Sequence, residues 1–406
     1  MKIVLAFSGG LDTSFCIPWL KENYDAEIHA VSVDCYGLSG KESEEVLNRA
    51  RYLGADHATL IDGVQIMYDK VISYLIKGNV LRDRTYPLCV GVERYIQAEL
   101  IAGYMKDHHI NNVAHGSTGA GNDQIRFDSA LQASAAELGD INIISPIRDK
   151  ELTRKDTTAF LQKRGYEIPA STTNYSINKG IWGTTIGGKE TTTATEALPF
   201  EAFPQLGDPQ DHQQSGEKVA ITFENGLPTA INGEEFDPPE LLQKAESIGV
   251  KHNIGLGMHT GDTILGIKGR IGFEAPAAEL LYATHRELEK LVLSKWQRHL
   301  KDQLADTYGM MLHEAKFYDP AMRDIEAFFD NSQQDVTGNV TVYVCNGNII
   351  PQFVESPNDA LSEGQATYGE HQSGWTGVEA RAFSKLYSIA ANPIPKKSDQ
   401  KEETVS

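Results

Sequence analysis

Positive charge is what this sequence has least of: 37 lysines and arginines stand against 56 acidic residues, a formal net charge of -19. Nucleic-acid phosphates are held by a basic footprint that releases counterions, so this balance argues against a nucleic-acid partner. Cysteine is scarce as well. Cys16, Cys35, Cys89 and Cys345 are widely spaced and fit no CxxC metal or redox pattern, so they read as reduced structural thiols. No apolar run approaches a membrane-spanning length, and the chain enters a strand at residue 3 with no signal-peptide pattern. The expectation is a cytoplasmic protein with no membrane partner. Also missing are the lysine that ends a Walker loop and the GxGxxG of a dinucleotide site. What is present is ordinary for a globular chain, 40% hydrophobic and 23% charged over 406 residues, long enough for two or three domains.

The stretch that organises the rest is residues 3–14, IVLAFSGGLDTS. Ile3 to Phe7 is short, apolar and β-branched, the look of a strand buried on both faces of a parallel sheet. Ser8, Gly9 and Gly10 make a turn, after which Asp12, Thr13 or Ser14 can cap a helix with the apolar stripe Phe15, Trp19 and Leu20. Pro18 is tolerable there only within the first turn or two. A strand, a glycine turn and a helix start gather free N–H groups around one point, and that point attracts phosphate.

Further strands are expected at Ile28 to Asp34, Ala58 to Ile61, Ile110 to Ala114 and Ile141 to Ile147, with helices near Lys41 to Gly54, Val64 to Met105 and Thr153 to Gly165. The second of these helical stretches is interrupted from Asn79 to Pro87. This βαβαβ opening favours a doubly wound α/β fold. Ser32 falls at the carboxyl end of its strand, where open sheets place ligands, so contact with adenine or ribose is expected. His29 reads as a packed or surface side chain. After the fourth strand comes HGSTGAGNDQIR, residues 115–126, whose glycines allow close approach while Thr118, Asn122, Asp123 and Arg126 offer a hydroxyl, an amide, a carboxylate and a guanidinium. An acidic amino acid needs donors for its carboxylates and an acceptor for its ammonium, and this segment has both.

Beyond Thr172 the signals weaken. TTNYSINKGIWGTTIGGK is rich in hydroxyls and glycines with Trp182 as an anchor, and residues 191–214 read as a long polar connection. Hairpins are expected around Asn225-Gly226, with Pro228 marking an edge strand, and around Asn346-Gly347-Asn348, with helices between Ala277 and Ser332. The second domain is thus α+β. Near the end, Thr376 to Ala391 forms an amphipathic helix that needs a partner, and the tail from Pro393 is expected to be disordered.

SGGLDTS resembles the pyrophosphate loop of the ATP pyrophosphatases, and together with HGSTGAGNDQIRF it resembles the argininosuccinate synthase family. The resemblance implies three segments: a nucleotide-binding domain over 1–168, a substrate domain over 169–370, and a C-terminal oligomerisation helix with its tail over 371–406. It implies ATP-dependent ligation of citrulline and aspartate through a citrullyl-adenylate, with Mg2+ accompanying ATP and the subunits forming a homotetramer. Ala6, Phe7, Ser8, Gly9, Gly10, Leu11, Asp12, Thr13 and Ser14 would hold the phosphates, with Ser32 and Gly116 near the nucleoside. Thr118, Asn122 and Asp123 match the aspartate site. Asn122, Arg126, Tyr86, Ser176 and Thr185 fall at the citrulline site, Thr185 in place of the usual serine. Asp12 and Asp123 are the implied catalytic residues, and the magnesium ligands are left unassigned.

Three positions depart from the family pattern. Gly91 replaces a small hydroxylic residue or alanine, Gly261 a citrulline-binding glutamate, and Phe273 a tyrosine. All touch the amino-acid end of citrulline, which leaves two alternatives open: the substrate is an N-acylated citrulline, acetyl or succinyl, or Asp262 supplies the carboxylate one residue along. Readings of another class are a tRNA-modifying adenylating enzyme, which the charge opposes, and a non-catalytic ATP-binding regulator, which the completeness of residues 115–127 opposes.

Overall fold

In the computed structural model, residues 1–36, 38–168, 175–208, 215–361, 374–389 and 391 are described. The tail from Pro393 and residues 172–174 and 209–214 of the segments singled out above lie outside them. Five parallel strands, β1 (Lys2–Ala6), β2 (Glu27–Asp34), β3 (His57–Asp62), β4 (Asn112–Ala114) and β5 (Asn142–Ile144), lie in the order β3-β2-β1-β4-β5. β1 has no polar face: Val4 and Ala6 join one core cluster, Ile3 and Leu5 another. A strand of that kind belongs in the middle of a sheet covered on both sides, and it lies there. The chain winds outward from β1 to β3, then crosses to β4 on the other side of β1. The carboxyl ends of β1 and β4 therefore flank the switch point, where open α/β sheets bind ligands.

Two elements of this half differ from expectation. The strand expected to reach Ile147 stops at Ile144, because Pro146, with no N–H to give a neighbour, starts the helical turn Pro146–Asp149. The break in the helical stretch runs past Pro87 to Val92, and the next helix is Glu93–Asp107. Asp83, Arg84 and Leu88 at φ 49°, 60° and 57°, and Gly91 at 92°, are left-handed conformations that a right-handed helix cannot contain.

The second half adds β6 (Ser176–Gly180), β7 (Gly183–Gly187), β8 (Glu217–Glu224), β9 (Leu227–Ile231), β10 (Glu234–Glu235), β11 (Leu256–Asp262), β12 (Lys268–Glu274), β13 (Gly338–Cys345) and β14 (Asn348–Glu355). They form two antiparallel sheets, β11-β12-β7-β6 and β10-β9-β8-β13-β14. Both expected hairpins are present as β8–β9 and β13–β14. Pro228 is not on a formal edge, but β10 pairs only with Ile231 and Ala230, so the proline's side of β9 is left open. The polar connection is not structureless: Leu198, Ala202 and Phe203 bury against Ile186 around the short turn Phe200–Ala202.

The halves share one core. Tyr282 Oη donates to Val80 O (2.8 Å), and the buried Asn79 donates to Glu289 (2.8 Å), which also takes Lys301 Nζ (2.8 Å). Residues Met1–Asn358 accordingly form one compact unit and Asp359–Ser406 another. The second unit holds helix Gly377–Ile389, started by a Thr376–Glu379 capping pair and bearing exposed Val378, Phe383, Leu386 and Tyr387. No helix among the described residues is long and apolar enough to cross a membrane. All four cysteines are free, three of them buried.

Candidate active site

α1 (Leu11–Tyr24) follows directly on the glycine turn, and its N-cap is Gly10, with no side-chain cap. The expectation that Asp12, Thr13 or Ser14 would cap it is corrected, because the helix starts one residue before the first of them. Thr13 Oγ1 instead reaches back to the turn, accepting from Ser8 N (3.3 Å) and lying 3.4 Å from Gly10 O, while Ser14 Oγ faces Gly9 O at 3.4 Å. The hydroxyls thus brace the loop, and the first-turn N–H groups are left pointing out, uncapped, where an anion can take them. Gly9 needs its freedom here, at φ 77°. Pro18 lies further into α1 than expected, and the helix continues past it to Tyr24.

Phe7 is buried, its N–H on Val31 O (2.9 Å) and its carbonyl taking the Ser32 hydroxyl (2.7 Å). Ser32 therefore sits at the predicted strand end with its proton committed, leaving only lone pairs for a ligand. Burial raises the Asp12 carboxyl above its ordinary range, opposed by the nearby charge of Arg154.

The loop after β4 meets the loop after β1. A Cβ on Gly116 would stand 3.1 Å from Thr13 N and 3.2 Å from the Asp12 carbonyl carbon, so a larger residue would push the two loops a few tenths of an ångström apart. His115 is fixed from behind: Nδ1 faces Ser117 N (3.3 Å), and Nε2 meets Asp128 (2.9 Å), itself held by Arg148 Nη1 (2.6 Å). Between the loops lies a cavity of about 340 Å3 lined by Leu11, Asp12, Thr118, Arg154 and Ser176 among others.

Asn122 and Asp123 begin the helix Asp123–Ser134. The Asn122 side-chain oxygen accepts from Ile264 N (3.0 Å), tying the loop to the β11–β12 turn. Asp123 receives Arg94 Nε on one oxygen (3.1 Å) and Arg126 Nη1 on the other (3.0 Å). Burial pushes its carboxyl up, but the two guanidiniums outweigh that and hold it below the ordinary range. Arg126 also donates from Nε and Nη2 to His313 O (3.2 and 3.1 Å) and lies over Gly91, where a Cβ would meet Nη1 at 2.5 Å.

The remaining candidates share one face of the β11-β12-β7-β6 sheet. Cross-strand partners point the same way, and Ser176 pairs with Gly187, Thr185 with both Asn178 and Phe273, Phe273 with Gly257 and Gly261 with Gly269. Against this face stands Tyr86, its ring stacked on His259 (5.2 Å) and tilted to Phe273 (5.4 Å). Tyr86 is carried there by a tight turn in which Arg82 and Tyr86 exchange backbone hydrogen bonds (2.8 and 3.0 Å).

Residues 2–167 match the family model described as the arginosuccinate synthase N-terminal HUP domain, and residues 175–393 the arginosuccinate synthase C-terminal domain. The chain belongs to the argininosuccinate synthase family. It is 35% identical over 397 residues to the argininosuccinate synthase of Xylella fastidiosa, covering 96% of each chain. The enzyme of Methanocaldococcus jannaschii is 34% identical over 369 residues, covering 91% of this chain and 92% of its own. The solved structure of a predicted subunit of tRNA methyltransferase from the latter organism covers 41% of this chain and 89% of its own, at TM-score 0.29 and 16% identity. The protein is an ATP-dependent ligase of arginine biosynthesis.

The three positions expected to depart from the family pattern each have a definite local setting. Gly91 makes way for Arg126 at a φ no other residue adopts readily. Phe273 covers Gly257, where a Cβ would lie 2.2 Å from the ring. At Gly261 the space a side chain would use holds His259 Nε2, 2.5 Å from a built Cβ, and Asp83 Oδ2, 3.2 Å from it. Asp262, one residue along, faces away from Gly261 by strand alternation and pairs with Lys268 (2.7 Å). Arg94, Arg154, Asp83 and His259 were not found by sequence reasoning. Each is brought in from a separate element, and only Arg154, beside the Thr153 cap of its helix, carried a local signal.

Proposed function

We propose that this chain joins citrulline to aspartate at the expense of ATP, giving argininosuccinate, AMP and diphosphate. The observation that carries the reading is the contact of Gly116 with the first turn of α1, which puts the phosphate loop and the amino-acid loop on one cavity. Residues Ala6 to Ser14 would seat the phosphates at the helix start, with Ser32 and Gly116 beside the nucleoside. The ureido oxygen attacks the α-phosphate and diphosphate leaves; the aspartate amine then displaces AMP from the citrullyl-adenylate. Thr118, Asn122 and Asp123 would receive aspartate, Asp123 serving as the acceptor for its ammonium. Magnesium suits this edge, because Asp12 is the carboxylate among the residues lining the cavity, and Mg2+ takes one or two carboxylates plus phosphate oxygens. Its charge would screen the departing diphosphate.

Tyr86, Ser176, Thr185, Gly261 and Phe273 would form the citrulline end, with Gly91 and Arg126 behind them. Free citrulline is favoured over an N-acylated form. The Asp83 carboxylate stands beside Gly261, where an ammonium needs a partner, and the room a glycine opens is taken by His259. Residues 1–168 would act as the nucleotide half and 169–370 as the substrate half of a cytoplasmic enzyme. The exposed apolar stripe of Gly377–Ile389 would dock on a neighbouring subunit of a homotetramer. The test is diphosphate release from ATP and aspartate with citrulline, N-acetylcitrulline or N-succinylcitrulline. Release with citrulline is expected. Release only with an acylated form would overturn the role given to Asp83, and release with none would remove the ligase reading.

A further inference from the structure

At the end of the parallel sheet opposite the ligand loops, three metal-ligating side chains converge that the reaction does not use. Glu27 and His29 are two residues apart on β2 and share a face, and His57 opens β3 in register with His29. Both imidazoles turn Nε2 onto one oxygen: His29 Nε2 lies 3.1 Å and His57 Nε2 3.2 Å from Glu27 Oε1, with all three ligand atoms within 4.8 Å of one another. We propose that this His-His-Glu cluster binds a divalent transition-metal ion of the zinc type.

Ligand atoms about 2.0–2.1 Å from a tetrahedral zinc are about 3.3 Å apart. The two observed N–O separations are within a few tenths of that, so an ion could enter between the three atoms with small side-chain movements. A ligating histidine usually has its other nitrogen fixed by a second partner. His29 has one, with Nδ1 2.9 Å from Tyr104 Oη, which orients the ring and directs Nε2 at the cluster. The His29 and His57 rings stack at 4.2 Å, which holds the two imidazoles side by side at the cluster. His29 is an anchor at 3% side-chain exposure, while His57 at 53% and Glu27 at 38% leave the ion a way in and a face for water.

One group opposes the ion. Lys2 Nζ lies 3.5 Å from Glu27 Oε1, but its side chain is 52% exposed, and a surface pair of that kind is weak and easily exchanged. A set of two imidazoles and one carboxylate suits zinc, nickel or copper better than magnesium or calcium. β3 is the outer strand of its sheet, so an ion here would pin that edge to β2, about 16 Å along the strand from the ligand end. The site stabilises the fold and stands apart from the chemistry.

The experiment is titration of the untagged, chelator-stripped full-length protein with Zn2+ by calorimetry, with thermal melting and the Co2+ visible spectrum as second readouts. One ion per chain, a raised Tm and a structured Co2+ spectrum are expected. His57→Ala and Glu27→Gln should each weaken binding at least about ten-fold and remove the Co2+ bands, and Tyr104→Phe should weaken it less. His57→Ala should keep the metal-free Tm and the rate of diphosphate release, which shows that the loss is not one of folding. Absence of Zn2+ binding by the unaltered protein would overturn the proposal, as would equal affinity in His57→Ala.

Discussion

Replacing Gly91 by alanine separates backbone strain from displacement of a held arginine. Gly91 sits at φ 92°, and a left-handed conformation costs an L-residue about 1–2 kcal/mol. The new methyl would also stand 2.5 Å from Arg126 Nη1. That nitrogen cannot simply swing aside, because the same guanidinium is tied to Asp123 (3.0 Å) and His313 O (3.1 Å). Losing a charge-assisted hydrogen bond costs about 1.5–3 kcal/mol. Asp123 keeps Arg94 and is 39% exposed, so water and the second arginine offset part of that loss, and about 2 kcal/mol is the working figure. Gly54→Ala is the control: its φ is 95° at a helix end, and a Cβ there meets nothing within 4 Å, so it carries the strain without the collision. Urea midpoints at equal m-values should place Gly91→Ala about 2 kcal/mol below Gly54→Ala, roughly 30-fold in the folding equilibrium. The KM for aspartate should rise in the first variant and stay fixed in the second. Equal midpoints for the two variants would show that Arg126 is not held where the argument needs it.

Asp123→Ala should abolish condensation with aspartate, and Arg94 and Arg126 would be left facing each other without their shared counterion; turnover unchanged in a coupled diphosphate assay would show the aspartate assignment to be wrong. Gly116→Val should wedge the two ligand loops apart and raise the KM for ATP and aspartate together, whereas a rise in one alone would argue against a common cavity. Burial, and then the charges of Arg126 and Arg82, lower the His313 imidazole to about 3. The unfolded chain takes that proton near pH 6.5 and the folded one does not, so stability is full above pH 6.5 and falls as pH drops toward 3. His313→Gln should flatten that part of the profile in urea midpoints measured from pH 7 to 4, and an unaltered slope would refute the assignment.

The parts of the site that could be read from sequence were those built by neighbours along the chain. A β-branched apolar run followed by paired glycines fixes a buried strand and its turn, and the polar set from Thr118 to Arg126 falls on one loop and the first turn of the helix after it whatever the rest does. The parts that could not were set by which strand lies beside which. Gly261 read alone looks like an opened pocket, but register with Gly269 and the turn at Asp83–Arg84 bring His259 and a carboxylate into that space. Gly91 likewise gives no sign in the sequence that Arg126 lies over it. The helix cap was missed for a smaller reason: side chains that usually cap were present at Asp12, Thr13 and Ser14, but the glycines let the helix begin ahead of them.

The buried tie of Asn79, Glu289 and Lys301 bears on how the enzyme can move. Swinging one half bodily away from the other would break the buried hydrogen bonds of Asn79 to Glu289 and of Lys301 to Gly78 O and bare the shared core, a cost that ligand binding would have to meet on every turnover. Breathing is cheaper at the rim, where the β11–β12 turn is held by hydrogen bonds alone, from Ile264 N to Asn122 and from Arg82 and His313 to Asp262 O. Admission of substrate should therefore resemble the lifting of a flap, and fragments severed near residue 168 should fail to fold apart yet recombine when produced together.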